Sequence, residues 1–453
     1  MPNINTGILI LKDDKSNQYP KEIFYKIIHK AIQEKENYEK IEKERTASLL
    51  KIIELLIYKY EEDDEKKQQY TELKSEINDE KDLFYRIIND KEEKKWKEIY
   101  DNINIEKNYS IEEIISSFDK INNQKDENKY NEEILKAYYI KLWCFNFITF
   151  NYKKNDELMK LLLNQKKDKI KQAIISDKKN KNIPYNLNND EIEKTLNNDY
   201  KIIFLEKGES LSKLTQQLNK NMEDKSEFQL LLQHIIKQIL IGLYLLHHLS
   251  KEECLYHNDL KPDNILICFN EKYNNNETSF KDKYMNAIYK IVDLDLTRKI
   301  KYSEIEHDYL NRMYNNCIFP YDDPDKEEIY EVGEILFELI TGKMHYNDDE
   351  KKDNYQYLEK NCKIDVSQKL CLSIIKFLHR CLHVERKYRI SCDDALIHEF
   401  LEKKDFNVPL DFNKLPNDLV SKNKKIFYLP IYRPFLGLND YEMKEYESLD
   451  VEF

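Results

Sequence analysis

The chain has 453 residues, enough for a sizeable core in two or three domains. Acidic residues outnumber basic ones by 85 to 73, a formal charge of −12, which argues against a dedicated nucleic-acid binder because such proteins carry a basic excess or stripe. A charged fraction of 35% with only six glycines points to a helix-rich protein, and the eight cysteines form no C-x-x-C pair, so reduced thiols in a cytoplasmic setting are expected.

Residues 1–108 are charge-dense, with apolar residues at helical spacing (Leu49, Ile52, Ile53, Leu56, Ile57). They read as a helical, charge-rich extension, a solvated module with the potential to recruit a partner protein. No basic leader precedes the short apolar run near the N-terminus, and no apolar stretch approaches the roughly 18 residues of a membrane span. Residues 137–150 (AYYIKLWCFNFITF) are β-branched and aromatic and predict a strand. Residues 156–165 predict a helix and 200–205 (YKIIFL) a short strand. Glu206-Lys207-Gly208 breaks that run as a hinge would. From Phe228 to Leu249 apolar residues fall on one face of a long helix. Asn270–Asn286 is polar and Asn-rich, a solvated insertion between two strands. Helices are predicted over 329–341, 372–382 and 391–401. Beyond 402 prolines accumulate and periodicity fades, leaving IFYLPIYRPFL as a stretch able to pack onto the domain.

The most informative stretch is 256–267, YHNDLKPDNILI. It places a carboxylate, an ammonium two residues on and an amide five residues on between a long helix and an apolar strand. That set suits phosphoryl transfer: Asp259 can orient an attacking hydroxyl, Lys261 can neutralise a moving phosphoryl group, and the Asn264 oxygen can ligate Mg²⁺. HNDLKPDN resembles the catalytic loop of eukaryotic-type protein kinases, H-R-D-L-x-x-x-N, with Asn258 in place of Arg. Three further blocks follow in the family's order. Asp293-Leu294-Asp295 stands at D-F-G, IYEVGEILFELITGK (329–343) is similar to the buried central helix with Glu328 where the family has Asp, and 377–401 with Arg389 is similar to the closing helices. Lys261-Pro262 favours the Ser/Thr-type branch.

The resemblance implies an α+β, bilobal kinase-like fold: a helical extension over 1–108, a β-rich N-lobe and hinge over 109–208, a helical C-lobe over 209–402 and a tail over 403–453. It implies ATP and Mg²⁺ as cofactors, a protein substrate, no nucleic acid and no membrane span. The implied catalytic residues are Asp259, which accepts the hydroxyl proton, and Lys261, which contacts the γ-phosphate; Asn264 and Asp293 hold the metal. The implied ATP-binding residues are Lys141, at the place of the V-A-I-K lysine, Glu157 as its partner, Leu205, Glu206 and Lys207 at the hinge, and Leu266. Arg389 is expected to pair with an acidic residue near the activation segment.

The chain also departs from the family. It has no G-x-G-x-x-G; the best-placed substitute is 114–121 (IISSFDKI), which lacks every glycine that lets backbone amides approach phosphate. Asp295 replaces the glycine of D-F-G, there is no A-P-E, and without the Arg at 258 no guanidinium precedes Asp259 to grip a phosphorylated loop. The reading is therefore an ATP-dependent Ser/Thr protein kinase of divergent type. Its competitors are a pseudokinase serving as a scaffold and, further off, a small-molecule kinase.

Overall fold

The computed structural model describes residues 5–10, 22–29, 32–79, 94–124, 130–149, 151–152, 200–251, 253–274, 277–301, 324–342, 363–365, 372–383, 388–402 and 426–428. The chain divides into two compact units, Met1–Lys207 with Asp293–Thr297, and Gly208–Val292 with Arg298–Phe453.

Unit 1 holds an antiparallel sheet of β1 (Asn5–Ile10), β2 (Glu22–His29), β3 (Asn151–Tyr152) and β4 (Tyr200–Leu205), in the order β1-β2-β4-β3. Its register sets Phe24 opposite Leu205 and Lys26 opposite Ile203. The first strands correct the reading of 1–108 as wholly helical: EIFYKIIH is rich in β-branched and aromatic residues, and its partner YKIIFL lies far along the chain. The rest of that segment is helical as expected. It forms α1 (Ile32–Lys59), α2 (Asp64–Asp79) and α3 (Lys94–Ile103), followed by α4 (Ile111–Asn123) and α5 (Glu132–Cys144).

Two further corrections follow. Residues 137–144, expected as strand, complete α5. That helix is apolar nearly all round, with Ile134, Leu135, Ala137, Tyr139, Ile140, Leu142 and Trp143 buried, so it lacks the polar face that reveals a surface helix. Asn131 starts it by accepting from the amides of Glu133 and Ile134 at 2.9 and 3.3 Å. The segment 114–121, expected as a phosphate loop, lies inside α4. A capping box opens that helix: Ser110 Oγ accepts from the Glu113 amide at 3.2 Å and the Glu113 carboxylate accepts from the Ser110 amide at 3.0 Å. The expected helix at 156–165 lies outside the described residues.

Unit 2 begins at Gly208, where the sequence places a hinge. A Cβ there would stand 2.5 Å from Leu266 Cγ and 2.7 Å from the Ile267 carbonyl, so only glycine fits. After β5 (Glu209–Ser210) come α6 (Leu211–Asn221) and α7 (Lys225–His247). By length and composition α7 could cross a membrane, which corrects the expectation that no stretch approaches such a span; 78% of its apolar window is buried inside the protein. The chain continues through β6 (Glu253–Tyr256), β7 (Ile265–Cys268), α8 (Phe280–Met285), β8 (Ile288–Ile291) and β9 (Arg298–Lys301). Strands β5, β7 and β8 form one antiparallel sheet and β6 pairs with β9. The polar segment between β7 and β8 contains α8, capped by Ser279. The last described helices are α9 (Pro324–Thr341), α10 (Leu372–Cys381), α11 (Cys392–Leu396) and α12 (Glu399–Glu402). Gly333 lets α9 approach the start of the turn after α10, since a Cβ there would lie 2.8 Å from Leu382. In the tail, β11 (Ile426–Tyr428) pairs with β10 (Lys363–Asp365).

Candidate functional site

The loop between β6 and β7 carries the chemistry, and its shape is set from below by α9. Glu328, fully buried, accepts from the backbone amides of His257 and of Asn258, the latter at 3.1 Å. Two donors on one carboxylate turn the chain sharply. Asn258 takes a left-handed conformation at φ 58, which Asn tolerates better than most residues. One helical turn further along α9, Glu331 Oε2 accepts from the Leu260 amide at 3.0 Å. The buried His257 ring donates through Nε2 to the Val292 carbonyl at 2.7 Å, and the Val292 amide donates to the Asn264 carbonyl at 3.0 Å. Both ends of the loop are thus tied to the strand that leads to Asp293.

This frame brings three of the expected residues together. Lys261 Nζ donates to Asp259 Oδ2 at 2.7 Å. Asn264 Nδ2 donates to the same oxygen at 2.9 Å and to the Asp259 carbonyl at 2.8 Å. Asn264 is buried, Asp259 is partly exposed and Lys261 more so, so the carboxylate is held from inside and open outward. Because both Asn264 bonds use Nδ2, Oδ1 makes no hydrogen bond among the described residues. A hard amide oxygen of this kind suits Mg²⁺.

Asp293 directly follows Val292 and is left-handed at φ 67, whereas Asp295, in place of the family's glycine, sits in a short 3-10 turn (Leu294–Leu296). The left-handed backbone therefore lies two residues before the glycine position, at Asp293 itself. In unit 1, Asn37 on α1 donates through Nδ2 to the carbonyls of Leu294 (3.0 Å) and Thr297 (3.3 Å). Thr297 is fully buried.

The expected ATP-binding residues fare unevenly. Lys141 does not lie on a sheet strand: it is buried on α5, with Nζ 3.9 Å from Glu44 on α1 and 6.0 Å from the Phe118 ring centre. The same all-round burial that disguised the helix accounts for the error. Glu157 lies outside the described residues. Leu205 ends β4, Glu206 and the exposed Lys207 follow it, and Leu266 on β7 packs on Gly208.

The electrostatics of α9 are unusual. After a charged first turn (Asp325, Lys326, Glu327), it carries Glu328, Glu331, Glu334 and Glu338 among mostly apolar residues. Burial pushes the Glu331 carboxyl up to about 8; the bond from Leu260 opposes this and the charges of Glu328, Asp259 and Glu334 add to it. Burial, Asp263 and Glu334 lift Glu338 to about 7. His247, at the end of α7, donates from Nε2 to Glu328, while its Nδ1 lies 3.7 Å from Asp325. Burial alone would lower its pKa, but Glu328 and Asp325 outweigh that and raise it. Arg389 meets the expectation for an acidic partner: Nη1 donates to Glu327 at 2.9 Å, Nε donates to the His383 carbonyl at 2.8 Å, and the guanidinium lies 4.4 Å over the Tyr330 ring. Glu331, His247 and Asn37 escaped the reading of the sequence. For Glu331 a signal existed, since carboxylates at three-residue spacing on an apolar helix must have buried partners.

Comparison with known proteins fits this geometry. Residues 191–401 match the family model described as "Protein kinase domain". Serine/threonine-protein kinase CLA4 of Candida albicans is 28% identical over 171 residues, 35% of this chain and 15% of that protein. Serine/threonine-protein kinase unc-51 of Caenorhabditis elegans is 25% identical over 175 residues, 38% of this chain and 19% of that protein. The chain spans less than a fifth of the length of these curated relatives. A solved structure titled "Crystal structure of Rad53 kinase domain and SCD2 in complex with AMPPNP" aligns at 15% identity over 46% of this chain and 72% of that one, with a TM-score of 0.29, too low to carry an argument about the site.

Proposed function

We propose that this chain, which carries a eukaryotic-type protein kinase domain over residues 191–401, transfers the γ-phosphoryl group of ATP to Ser or Thr hydroxyls of a protein substrate. The observation that supports catalysis is the convergence of Lys261 Nζ and Asn264 Nδ2 on one oxygen of Asp259. Asp259 then has a fixed orientation, and it accepts the hydroxyl proton as the substrate oxygen bonds to the γ-phosphorus. The bond to the β–γ bridging oxygen breaks and ADP leaves. Lys261, half exposed, offsets charge on the moving group. Asn264 and Asp293 are the residues that would hold Mg²⁺, which when bound neutralises charge on the phosphate oxygens.

Lys141 lies on a helix and not on a strand, so we propose that another lysine answers to the family's strand lysine. Lys26 is the only lysine on β2, a central strand of its sheet that leads directly into α1. That strand-then-helix order is the one in which the family carries its lysine and its glutamate. We assign the role to Lys26.

The test is incubation of the purified full chain with labelled ATP, Mg²⁺ and a generic protein substrate. Parent protein should label itself or the substrate, and Asp259→Asn should lower the rate by at least about 100-fold. Labelling that survives Asp259→Asn would sink the assignment. The pseudokinase reading draws on one observation, that the segment read as a phosphate loop is helix α4. It expects no labelling even where ATP with Mg²⁺ raises the melting temperature.

A further inference from the structure

The helix beneath the loop supplies two carboxylates, not one. Glu328 holds the amides of His257 and Asn258, and Glu331, one turn on, holds the amide of Leu260. Asp259 lies between the two anchored stretches, so its backbone is fixed on both sides from the same rigid element. Without Glu331, the peptide that follows Asp259 has no other acceptor among the described residues for its N–H. We propose that Glu331 is a positioning residue for phosphoryl transfer, acting through the Leu260 amide to fix the direction in which the Asp259 carboxylate points.

The charged groups facing Glu331 are Glu328 and Glu334 on its own helix and Asp259 on the loop. Asp259 is already neutralised by Lys261, and the lysines of the adjacent α6, Lys213 and Lys220, are exposed. Burial first, and these acidic neighbours after it, favour the protonated carboxyl at neutral pH. Its oxygen still accepts from Leu260, and a glutamine at this position would reproduce both its shape and its charge. A leucine would fill the space and leave the amide unmet, which costs more than removing a solvated bond.

The proposal rests on the phosphotransfer reading, and its test separates the two. Glu331→Leu and Glu331→Gln are prepared in the full chain, with melting curves to establish that both fold. Hydrogen–deuterium exchange is followed over the peptide containing Leu260, and kcat and KM for ATP are measured between pH 6 and 9. Glu331→Leu should exchange about tenfold faster at that peptide and lose about tenfold in kcat, with KM for ATP within about twofold. Glu331→Gln should match the parent in exchange and in kcat at pH 7, while losing the inflection that the parent shows near pH 8. Unchanged exchange in Glu331→Leu, or a Gln variant as impaired as the Leu variant, overturns the proposal. A parent that transfers no phosphate overturns the activity reading, and the exchange arm then decides the role of Glu331 by itself.

Discussion

Glu328 is the residue on which the loop depends most. Its side chain is fully buried and meets three donors: two backbone amides and the His247 ring. Glu328→Ala would leave the two amides unmet and the His247 ring with Asp325, at 3.7 Å, as its remaining acidic partner. The expected cost is about 3–5 kcal/mol, the range for breaking a buried pair from one side, read as a fall in urea midpoint. Little change would mean that water replaces the carboxylate. The same pair sets a pH dependence. The folded-state pKa of His247 is raised, so its contribution is complete below the unfolded value of roughly 6.5 and is lost as pH rises through the folded value. The stability gap between parent and His247→Phe should therefore narrow steadily from pH 6 towards pH 9. Glu331 runs the other way from an ordinary carboxylate. Its pKa rises from 4.5 to about 8, so relative stability is present at acid pH and declines across that window. Glu331→Gln should remove this decline, gaining on the parent as pH rises from 5 to 8 in unfolding titrations. A constant difference would contradict the burial that raises the group.

Among the elements, α1 ties distant stretches of unit 1 together. It begins three residues after β2 and packs along α2 and α5, and its Asn37 donates to two carbonyls of the segment that follows Asp293. The Leu294 carbonyl also accepts from the Thr297 amide at 3.3 Å within the turn, so Asn37 adds a second donor there and a first bridge to the Thr297 carbonyl. Asn37→Ala should cost about 1–3 kcal/mol and speed hydrogen exchange across 293–297, leaving the peptides of α3 and α4 at parental rates. Equal exchange in both proteins would show that the clasp holds nothing. No sequence pattern marks Asn37, because its partners are backbone carbonyls more than 250 positions away. The loop 257–264 was legible because its function needs particular side chains at fixed local spacing. Helices α7, α9 and α10 were legible from apolar residues recurring at helical spacing, whereas α6 was not read. The strand β2 and the helix α5 were not: the first has β-forming residues but sits in a charge-dense segment and pairs with the distant β4 as well as β1, and the second is buried on nearly every face. Ser110 and Glu113 were a readable local sign of the α4 start, and their capping box outweighed the family analogy that made 114–121 a loop.

At the scale of the whole chain, the kinase match covers 191–401, yet the strands that complete its first strand lie outside that span. β4 is paired on one side by β2, from residues 22–29, and on the other by β3 at 151–152. The Leu294 and Thr297 carbonyls are likewise met by Asn37. A fragment of residues 191–401 would expose both edges of β4, an apolar YKIIFL strand, and unpaired edges of this kind recruit other chains. It would also lose the buried side chains of α1–α5, among them Trp96, Phe118 and Trp143. The fragment 191–401 should therefore aggregate or unfold without a cooperative transition, whereas the full chain should elute as a discrete species and unfold cooperatively. Size-exclusion chromatography and thermal circular dichroism of the two decide the matter. A monomeric, cooperatively folding 191–401 would mean that β4 and the Leu294 turn need none of the first 190 residues. The full chain also supplies a direct check on Lys26. Lys26→Met should raise KM for ATP or abolish labelling while leaving its melting curve unchanged, and Lys141→Met should do the reverse, because Lys141 is buried beside Glu44.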